Sequence, residues 1–295
     1  MRGRPIIVLG PERSGTSLVA SMIDEWGAYV GEASELSDPD ERNPRGYWEY
    51  KPLWQLAEEV GDLPSGVSWW EATFAERVSA NTSDPHLADQ ARQLIARMES
   101  PGRPWMWKDP ALCHFLGFWT AFWDDPVYVL TVRNPLDVAR SWQAFGASFG
   151  RVPTSLPCNL LRWQYMSMTA MAVTDRAAGS RIFVEYERLL LAPITEAARL
   201  AGFLDAQTAS ATRADTVAGM ASLCDTAMRH HSSASEGGSE LTEAQRALYN
   251  AQRLHATGID RRFDVSEFPM PAGWRRIVID EERRAERSAP PAQGV

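Results

Sequence analysis

Short apolar runs alternate along this chain with longer segments whose apolar residues recur at helical spacing. Runs of this length are typical of strands, and the two later ones have the apolar, β-branched character of parallel strands covered on both faces. Four strands are predicted, at Pro5–Leu9, Trp105–Trp107, Val127–Val132 and Arg181–Val184. Seven helices are predicted, at Thr16–Trp26, Pro52–Val60, Pro85–Glu99, Pro135–Phe145, Asn159–Ala178, Ile194–Phe203 and Leu241–Thr257. This alternation favours an α/β fold with a central parallel sheet flanked by helices in three layers.

The first strand is followed by a glycine-bounded loop and then by the first helix, which is the layout of a phosphate-binding P-loop. The nucleotide-triphosphatase pattern G-x-x-x-x-G-K-S/T is met at Gly10, Gly15 and Ser17, but Thr16 occupies the lysine position. Backbone N–H groups and the helix dipole can still hold an anion there. The loop offers Arg13 as its cation. The chain therefore favours a P-loop-type fold whose site takes a phosphate-like group other than the end of ATP.

A second basic site is predicted after the third strand. Asn134 suits a helix N-cap and Pro135 suits the first helical position, so Arg133 is the residue that directly follows the carboxyl end of a sheet strand. Ligands of open α/β sheets gather at that edge. Ser141 lies two turns along the same helix, and the pair would hold a second phosphate. The residues alone leave open the alternative of a surface arginine beside a capped helix.

Composition narrows the class of protein. The chain has 295 residues, a net charge of −8 and an isoelectric point near 5.3. This size suits one domain, which we predict over residues 1–282, followed by a disordered tail over residues 283–295. The acidic balance argues against nucleic-acid binding. No apolar stretch approaches the roughly 20 residues of a membrane span and no signal peptide is recognised, so the predicted compartment is the cytoplasm.

Lysine is scarce in this chain, whereas tryptophan is abundant. Only Lys51 and Lys108 are present, and Lys108 directly follows the second strand. A lysine kept in such a chain indicates a need for a compact point charge. The chain has 12 tryptophans, and five of them lie near predicted site loops: Trp48, Trp69, Trp70, Trp105 and Trp107. They suit an aromatic or apolar ligand, although core packing is the commoner role of this residue.

Together these motifs resemble sulfotransferases that use 3′-phosphoadenosine 5′-phosphosulfate (PAPS), in particular a bacterial branch related to the tyrosylprotein sulfotransferases. The similarity is carried by R-S-G-T-S in the first loop and R-N-P-x-D-V-A-x-S after the third strand. Further matching segments are Asn43–Glu49, Lys108–Pro110 and Tyr186–Leu190, so the resemblance covers residues 5 to 204. It implies that Arg13, Ser14, Gly15, Thr16 and Ser17 bind the 5′-phosphosulfate, and that Arg133 and Ser141 bind the 3′-phosphate.

One position departs from the family pattern. Relatives carry proline just before the loop arginine, whereas this chain has Glu12. A carboxylate that faced the phosphosulfate would repel it. We therefore expect the Glu12 side chain to point away from the donor.

The resemblance implies in-line transfer of a sulfuryl group to an acceptor hydroxyl. Catalysis would consist mostly of positioning and charge stabilisation, as in phosphoryl transfer. Arg13 and Lys108 are the candidates for stabilising the leaving phosphate and the bridging oxygen. The transferred group carries less charge than a phosphoryl group, and the sequence has no clustered carboxylate pattern for a metal. Fixed cations are therefore expected in place of a metal ion.

An acceptor hydroxyl also needs a general base. The tyrosylprotein and heparan branches use a glutamate beyond the first helix, and Glu32 is the nearest match, so we rank it first. Glu49, in the segment Asn43–Glu49, is ranked second. His114 is interpreted as a residue on a helix face. Asp109 is a candidate for orienting Lys108 or Arg13.

The acceptor is predicted to be a small molecule with a hydroxyl and an aromatic or lipophilic body, from secondary metabolism in a bacterium with a GC-rich genome. The polar stretch at residues 230–240 is either a lid or a surface loop, and no oligomeric state is predicted. Two alternatives remain open. A P-loop kinase of small molecules would need Mg²⁺ and the lysine that Thr16 replaces, and a non-enzymatic nucleotide-binding module would need no base.

Overall fold

Four parallel strands form one sheet at the centre of the molecule, in the order β2-β1-β3-β4. The computed structural model describes residues 3–41, 43–149, 153–224, 240–259 and 262–288. Its strands are β1 (Pro5–Leu9), β2 (Trp105–Lys108), β3 (Val127–Val132) and β4 (Arg181–Glu185). Every residue of these strands is buried, as expected for a parallel sheet covered on both faces.

Helices cover the two faces of the sheet. Within the described ranges they are α1 (Thr16–Trp26), α2 (Lys51–Gly61), α3 (Phe74–Ala80), α4 (Pro85–Glu99), α5 (Leu112–Trp119), α6 (Pro135–Phe149), α7 (Leu156–Thr174), α8 (Tyr186–Leu191), α9 (Pro193–Thr208), α10 (Ala214–Ser222), α11 (Glu243–Ala256) and α12 (Trp274–Ser288). In the part of the chain that is described, none of them is long and apolar enough to cross a membrane.

Side-chain alternation along β1 divides the core into two layers. Ile6 and Val8 pack with α1, α9 and α10 on one face. Ile7 and Leu9 pack on the other face with a larger cluster that includes residues of α2 to α5, α7, α11 and α12. This arrangement confirms the predicted α/β fold with a central parallel sheet flanked by helices.

All four predicted strands are present, and α1 and α4 have the predicted bounds. The prediction of a helix over Asn159–Ala178 was wrong at its end, because α7 stops at Thr174 and a 3-10 turn follows over Asp175–Ser180. The sequence reading also missed α3, α5, α8, α10 and α12. Helix α5 (Leu112–Trp119) is almost entirely buried, so its sequence LCHFLGFW lacks the polar face that marks a surface helix.

The structure has a helix over part of the segment that the sequence assigned to a disordered tail. Helix α12 continues to Ser288, through the first six residues of the segment assigned to the tail. Its early residue Val278 is fully buried, and an ion pair three residues apart joins Glu281 to Arg284 (2.9 Å), so packing and local pairing extend the helix. Residues 289–295 lie outside the described residues, and the single domain over residues 1–282 stays a prediction.

The sheet register brings the candidate site residues to one edge of the sheet. Val8 pairs with Lys108 and Leu9 pairs with Leu130, so the carboxyl ends of β1, β2 and β3 meet. The loops that leave these strands begin at Gly10, Asp109 and Arg133. This edge carries the candidate site.

Candidate active site

The loop after β1 lies so close to its neighbours that two of its positions accept only glycine. Gly10 has φ +149°, and a Cβ there would lie 2.1 Å from Thr131 Oγ1. Gly15 has φ +96°, and a Cβ there would lie 2.6 Å from the ring of Tyr186. Arg13 also has positive φ, at 67°. The loop backbone is therefore held tightly against β3 and α8.

Ser14 fixes the loop to the sheet. Its side chain is fully buried, and its hydroxyl donates to Pro11 O (2.6 Å) and shares a hydrogen bond with Thr131 Oγ1 (2.6 Å). Its backbone N–H also donates to Pro11 O (3.2 Å). Both groups of Ser14 that could bind an anion are thus used inside the protein.

The amino end of α1 is open to an anion. Gly15 is the N-cap, and within the described residues no side chain caps this end and no acidic residue lies in the first turn. Thr16 and Ser17 are the first two helical residues, and Ser17 Oγ contacts Tyr47 O at 3.5 Å. Unsatisfied N–H groups and the helix dipole at such an end attract phosphate.

Arg13 lies beside Ser141 and Arg133, from which it is 128 and 120 residues away in the sequence. Arg13 Nε donates to Ser141 Oγ (3.0 Å), and Arg133 Nη1 donates to Arg13 O (2.8 Å). The Arg133 guanidinium lies 4.5 Å from the ring centroid of Tyr186. The structure therefore joins the first loop to the segment after β3.

Two guanidinium groups interact electrostatically in this cluster. Burial lowers the pKa of Arg13, and the neighbouring charge of Arg133 lowers it further. Like charges held together in a buried place are stabilised by an anion between or beside them. The cluster is therefore suited electrostatically to an anionic ligand.

Lys108, the last residue of β2, is 2% exposed. Its Nζ donates to Glu49 Oε1 (2.7 Å) and to Tyr47 O (3.0 Å). A buried ammonium is retained only where such partners compensate its lost hydration. The pair fixes a cation and a carboxylate side by side at the carboxyl edge of the sheet.

The two candidate bases differ in their surroundings. Glu32 is exposed, and its carboxylate accepts a hydrogen bond from the Tyr29 hydroxyl (3.0 Å). Glu49 contacts Lys108 and also lines a cavity. The geometry therefore favours Glu49, which the sequence analysis ranked second.

Two further carboxylates lie near this pair. Asp109 is 8% exposed and accepts a hydrogen bond from Ala111 N (2.8 Å). Burial, and then the charge of Glu49, raise the pKa of Asp109 to about 7. Burial also raises the pKa of Glu12, whose Oε1 lies 3.9 Å from Arg162 Nη2. Glu12 therefore forms an ion pair with Arg162 of α7.

Two adjoining cavities, here called the paired cavities, open beside these carboxylates. The first measures about 570 Å³ and the second about 670 Å³. Both are lined by Glu12, Trp54, Glu58 and Trp69. Asp109 and Glu49 line the first cavity, which is thus next to the Lys108 ion pair. Sequence reasoning missed Trp54 and Glu58, whose only signal was their place on an amphipathic helix.

His114 belongs to an aromatic cluster. Its ring stacks on Trp69 with centroids 4.9 Å apart and meets Trp70 edge-on at 4.6 Å. Burial lowers its pKa to about 3, so the ring is neutral at pH 7. Of the stretch at residues 230–240, for which a lid and a surface loop were both left open, all but Glu240 lies outside the described residues.

A comparison with known protein families shows which family this chain belongs to. The family described as the sulfotransferase family matches residues 5–210 of this chain. The chain belongs to the sulfotransferase family. The predicted family resemblance is confirmed. No curated protein sequence gives a significant match.

Similar solved structures are bacterial sulfotransferases or sulfotransferase domains. The domain from the curacin biosynthetic pathway is 14% identical, with a TM-score of 0.45 and 97% of each chain covered. The domain from the olefin synthase of Synechococcus PCC 7002 is 15% identical, with a TM-score of 0.41, 98% of this chain and 97% of that chain. Sulfotransferase STF9 of Mycobacterium avium is 14% identical, with a TM-score of 0.47, 90% of this chain and 79% of that chain.

Proposed function

We propose that this sulfotransferase moves a sulfuryl group from PAPS to a hydroxyl of a small aromatic or lipophilic acceptor. The observation that carries the proposal is the convergence of Arg13, Ser141 and Arg133 beside the open amino end of α1. The Lys108–Glu49 pair lies at the same sheet edge. An anion site beside a fixed cation and a carboxylate supplies what such a transfer requires.

The residues fit a donor with two separate phosphate groups. Gly15, Thr16, Ser17 and the Arg13 side chain would hold the 5′-phosphosulfate at the end of α1. Arg133 and Ser141 would hold the 3′-phosphate. Ser14 contributes by fixing the loop to β3, because its hydroxyl already bonds Thr131. When bound, the donor supplies the activated sulfuryl group.

Lys108 and Glu49 would act on the reacting atoms. The Lys108 ammonium stabilises the charge that develops on the bridging oxygen as its bond to sulfur breaks. The Glu49 carboxylate accepts the proton that the acceptor hydroxyl loses as the new oxygen–sulfur bond forms. Since Glu49 Oε1 lies 2.7 Å from Lys108 Nζ, both groups reach one small region.

The paired cavities would receive the acceptor. Trp54 and Trp69 line both of them and meet edge to face with centroids 5.9 Å apart. Aromatic walls beside a few polar groups are typical of sites for small apolar ligands. We assign the reaction to bacterial secondary metabolism in the cytoplasm, in keeping with the arginine-rich, lysine-poor composition.

The test is a calorimetric titration with adenosine 3′,5′-bisphosphate without metal, next to ATP with Mg²⁺. We expect micromolar binding of the bisphosphate. Arg133→Ala should weaken it about 10- to 100-fold, the range for a lost hydrogen bond to a charged group. Arg92→Ala is the matched control, because that arginine forms an exposed ion pair with Asp89. Preference for Mg-ATP would support a kinase instead, and binding of neither ligand would support a non-enzymatic module.

A further inference from the structure

The paired cavities carry an excess of negative charge. Six carboxylate side chains line them, counting shared residues once: Glu12, Glu49, Glu58, Asp109, Glu282 and Glu286. Three cationic side chains line them: Lys51, Arg162 and Arg283. Lys51 pairs with Asp38, which does not line either cavity. The lining therefore favours a cationic occupant.

Several of these carboxylate oxygens have no donor. Asp109 is nine-tenths buried, and within the described ranges its side chain accepts one hydrogen bond, from Ala111 N to Oδ1, which leaves Oδ2 without a protein partner at the cavity. Glu12 Oε2 is buried and has no hydrogen-bond partner among the described residues. Glu58 forms no ion pair or side-chain hydrogen bond with any described residue, although it lines both cavities. Buried polar atoms are normally satisfied, so Glu12 Oε2 points to a missing donor, and Asp109 and Glu58 present further acceptor oxygens at the same cavity.

The titration behaviour of the site agrees with this geometry. The pKa of Asp109 is raised to about 7 by burial and then by the charge of Glu49, and Lys108 offsets only part of this. Burial also raises the pKa of Glu12, even though Arg162 and Lys108 lower it. The protein's own cations thus do not fully stabilise the ionised form of these two carboxyl groups, and a bound cation would do so.

The tryptophans make the site suitable for an organic cation. Trp54 and Trp69 line both cavities, and indole faces attract ammonium groups as well as apolar surface. Within the described part of the chain, no three His, Cys, Asp or Glu side chains are arranged to hold a metal ion. An ammonium group attached to an aromatic or apolar body matches both parts of the lining.

We infer that the acceptor is an aromatic or apolar hydroxyl compound that carries a protonated amine, and that Glu12, Glu58 and Asp109 receive this amine. The inference rests on the proposed function for the identity of the reaction. It adds that the two substrates have opposite charge, each matched by its own half of the site. The charge of each half would then repel the other substrate.

The first test compares three phenols of similar size that differ in charge, in the presence of adenosine 3′,5′-bisphosphate. They are tyramine (cationic), N-acetyltyramine (neutral) and 3-(4-hydroxyphenyl)propanoate (anionic). Calorimetry should show tyramine binding about tenfold more tightly than N-acetyltyramine, with the propanoate weakest, as expected for one charge-assisted contact in a partly buried site. Equal affinities, tightest binding of the propanoate, or no binding of tyramine would overturn the inference.

The second test locates the amine. Glu58→Gln should weaken tyramine about tenfold and N-acetyltyramine less than twofold, and Glu12→Gln should do the same. Glu59→Gln is the matched control, since Glu59 is the exposed neighbour of Glu58 and bonds Gln90. Retained bisphosphate binding shows that each variant is folded. Equal effects of Glu58→Gln and Glu59→Gln on tyramine would contradict the assignment.

The two proposals fail separately in these experiments. If the bisphosphate does not bind while tyramine is still preferred, the proposed donor is wrong and the cation site stands. If the bisphosphate binds and tyramine has no advantage, the proposed reaction stands and the inference about the acceptor is wrong.

Discussion

The two halves of the candidate site are built in opposite ways. The donor half consists of one loop, the end of α1 and the start of α6, and its charges are Arg13 and Arg133. The acceptor half is assembled from side chains of α2, α6, α7 and α12, of the segment after α2, and of the segments that follow β1 and β2 or precede α2. The first half is cationic and depends on backbone geometry, whereas the second is anionic and depends on packing between distant segments. The positively charged Lys108 and the negatively charged Glu49 lie where the two halves meet.

Glu49→Gln gives the largest expected effect, because it removes the group assigned to receive the acceptor proton. Turnover should fall about 10²- to 10⁴-fold, the range for a lost general base. Bisphosphate binding should stay within a few-fold. The measurement is sulfated product by mass spectrometry under saturating donor. Glu32→Gln is the matched variant, and we expect it to keep at least a third of the activity because Glu32 is exposed and bonds Tyr29. If Glu32→Gln loses turnover and Glu49→Gln keeps it, Glu32 is the general base instead.

Lys108→Met should lower turnover about 10²- to 10³-fold, comparable with the loss of one electrostatic contact to a transition state. The fixed cation is lost, and Glu49 loses its 2.7 Å partner. Single-turnover rates, measured on protein that retains bisphosphate binding, separate this effect from misfolding. Arg92→Met, in an exposed pair on α4, should leave the rate unchanged. Nearly normal turnover in Lys108→Met would remove Lys108 from the mechanism.

Raising the salt concentration should weaken binding of the two ligands to different extents, and this effect is smaller than those of the substitutions above. Bisphosphate binds through several charges at Arg13, Arg133 and the end of α1, whereas tyramine carries one charge. The affinity for bisphosphate should therefore fall more steeply between 50 mM and 200 mM salt than the affinity for tyramine, about tenfold against about twofold. Titrations at three salt concentrations measure both slopes. Equal slopes would argue against a donor site formed by several cations.

The smallest expected effect concerns pH. Asp109 has a pKa raised to about 7, with Glu49, Lys108 and Glu12 as its charged neighbours, so it ionises as the pH rises from 6 to 8. The cavity becomes more negative over this range, while the amine of tyramine stays protonated. Tyramine affinity should rise about threefold, as expected for one partly screened charge, and N-acetyltyramine affinity should stay constant. Asp109→Asn should abolish the rise; a rise that persists in Asp109→Asn would assign it to another group.

The donor half was largely predictable from the sequence. Gly10 and Gly15 mark the loop, and the run from Arg133 to Ser141 marks the start of a helix after a strand. The rule that ligands gather at the carboxyl ends of parallel strands placed both segments at one sheet edge, and in the structure Arg13 Nε donates to Ser141 Oγ there. Local motifs carry this information because each one fixes its own backbone.

The acceptor half was not predictable in the same way. Lys108 and Glu49 are 59 residues apart, and the loop that holds Glu49 has no periodicity to fix its path. Glu282 and Glu286 belong to α12, next to or inside a segment assigned to a disordered tail. Contacts of this kind depend on the packing of whole helices, which single-sequence patterns do not specify.

The most direct test of the account is a crossed binding experiment with two variants and two ligands. Bisphosphate and tyramine are titrated into Arg133→Ala and Glu58→Gln, with Arg92→Ala and Glu59→Gln as controls. The account predicts that Arg133→Ala loses affinity for bisphosphate and keeps tyramine, that Glu58→Gln does the reverse, and that neither control changes. Loss of both ligands in both variants, or bisphosphate binding that is indifferent to Arg133→Ala, would contradict a site divided into an anion half and a cation half.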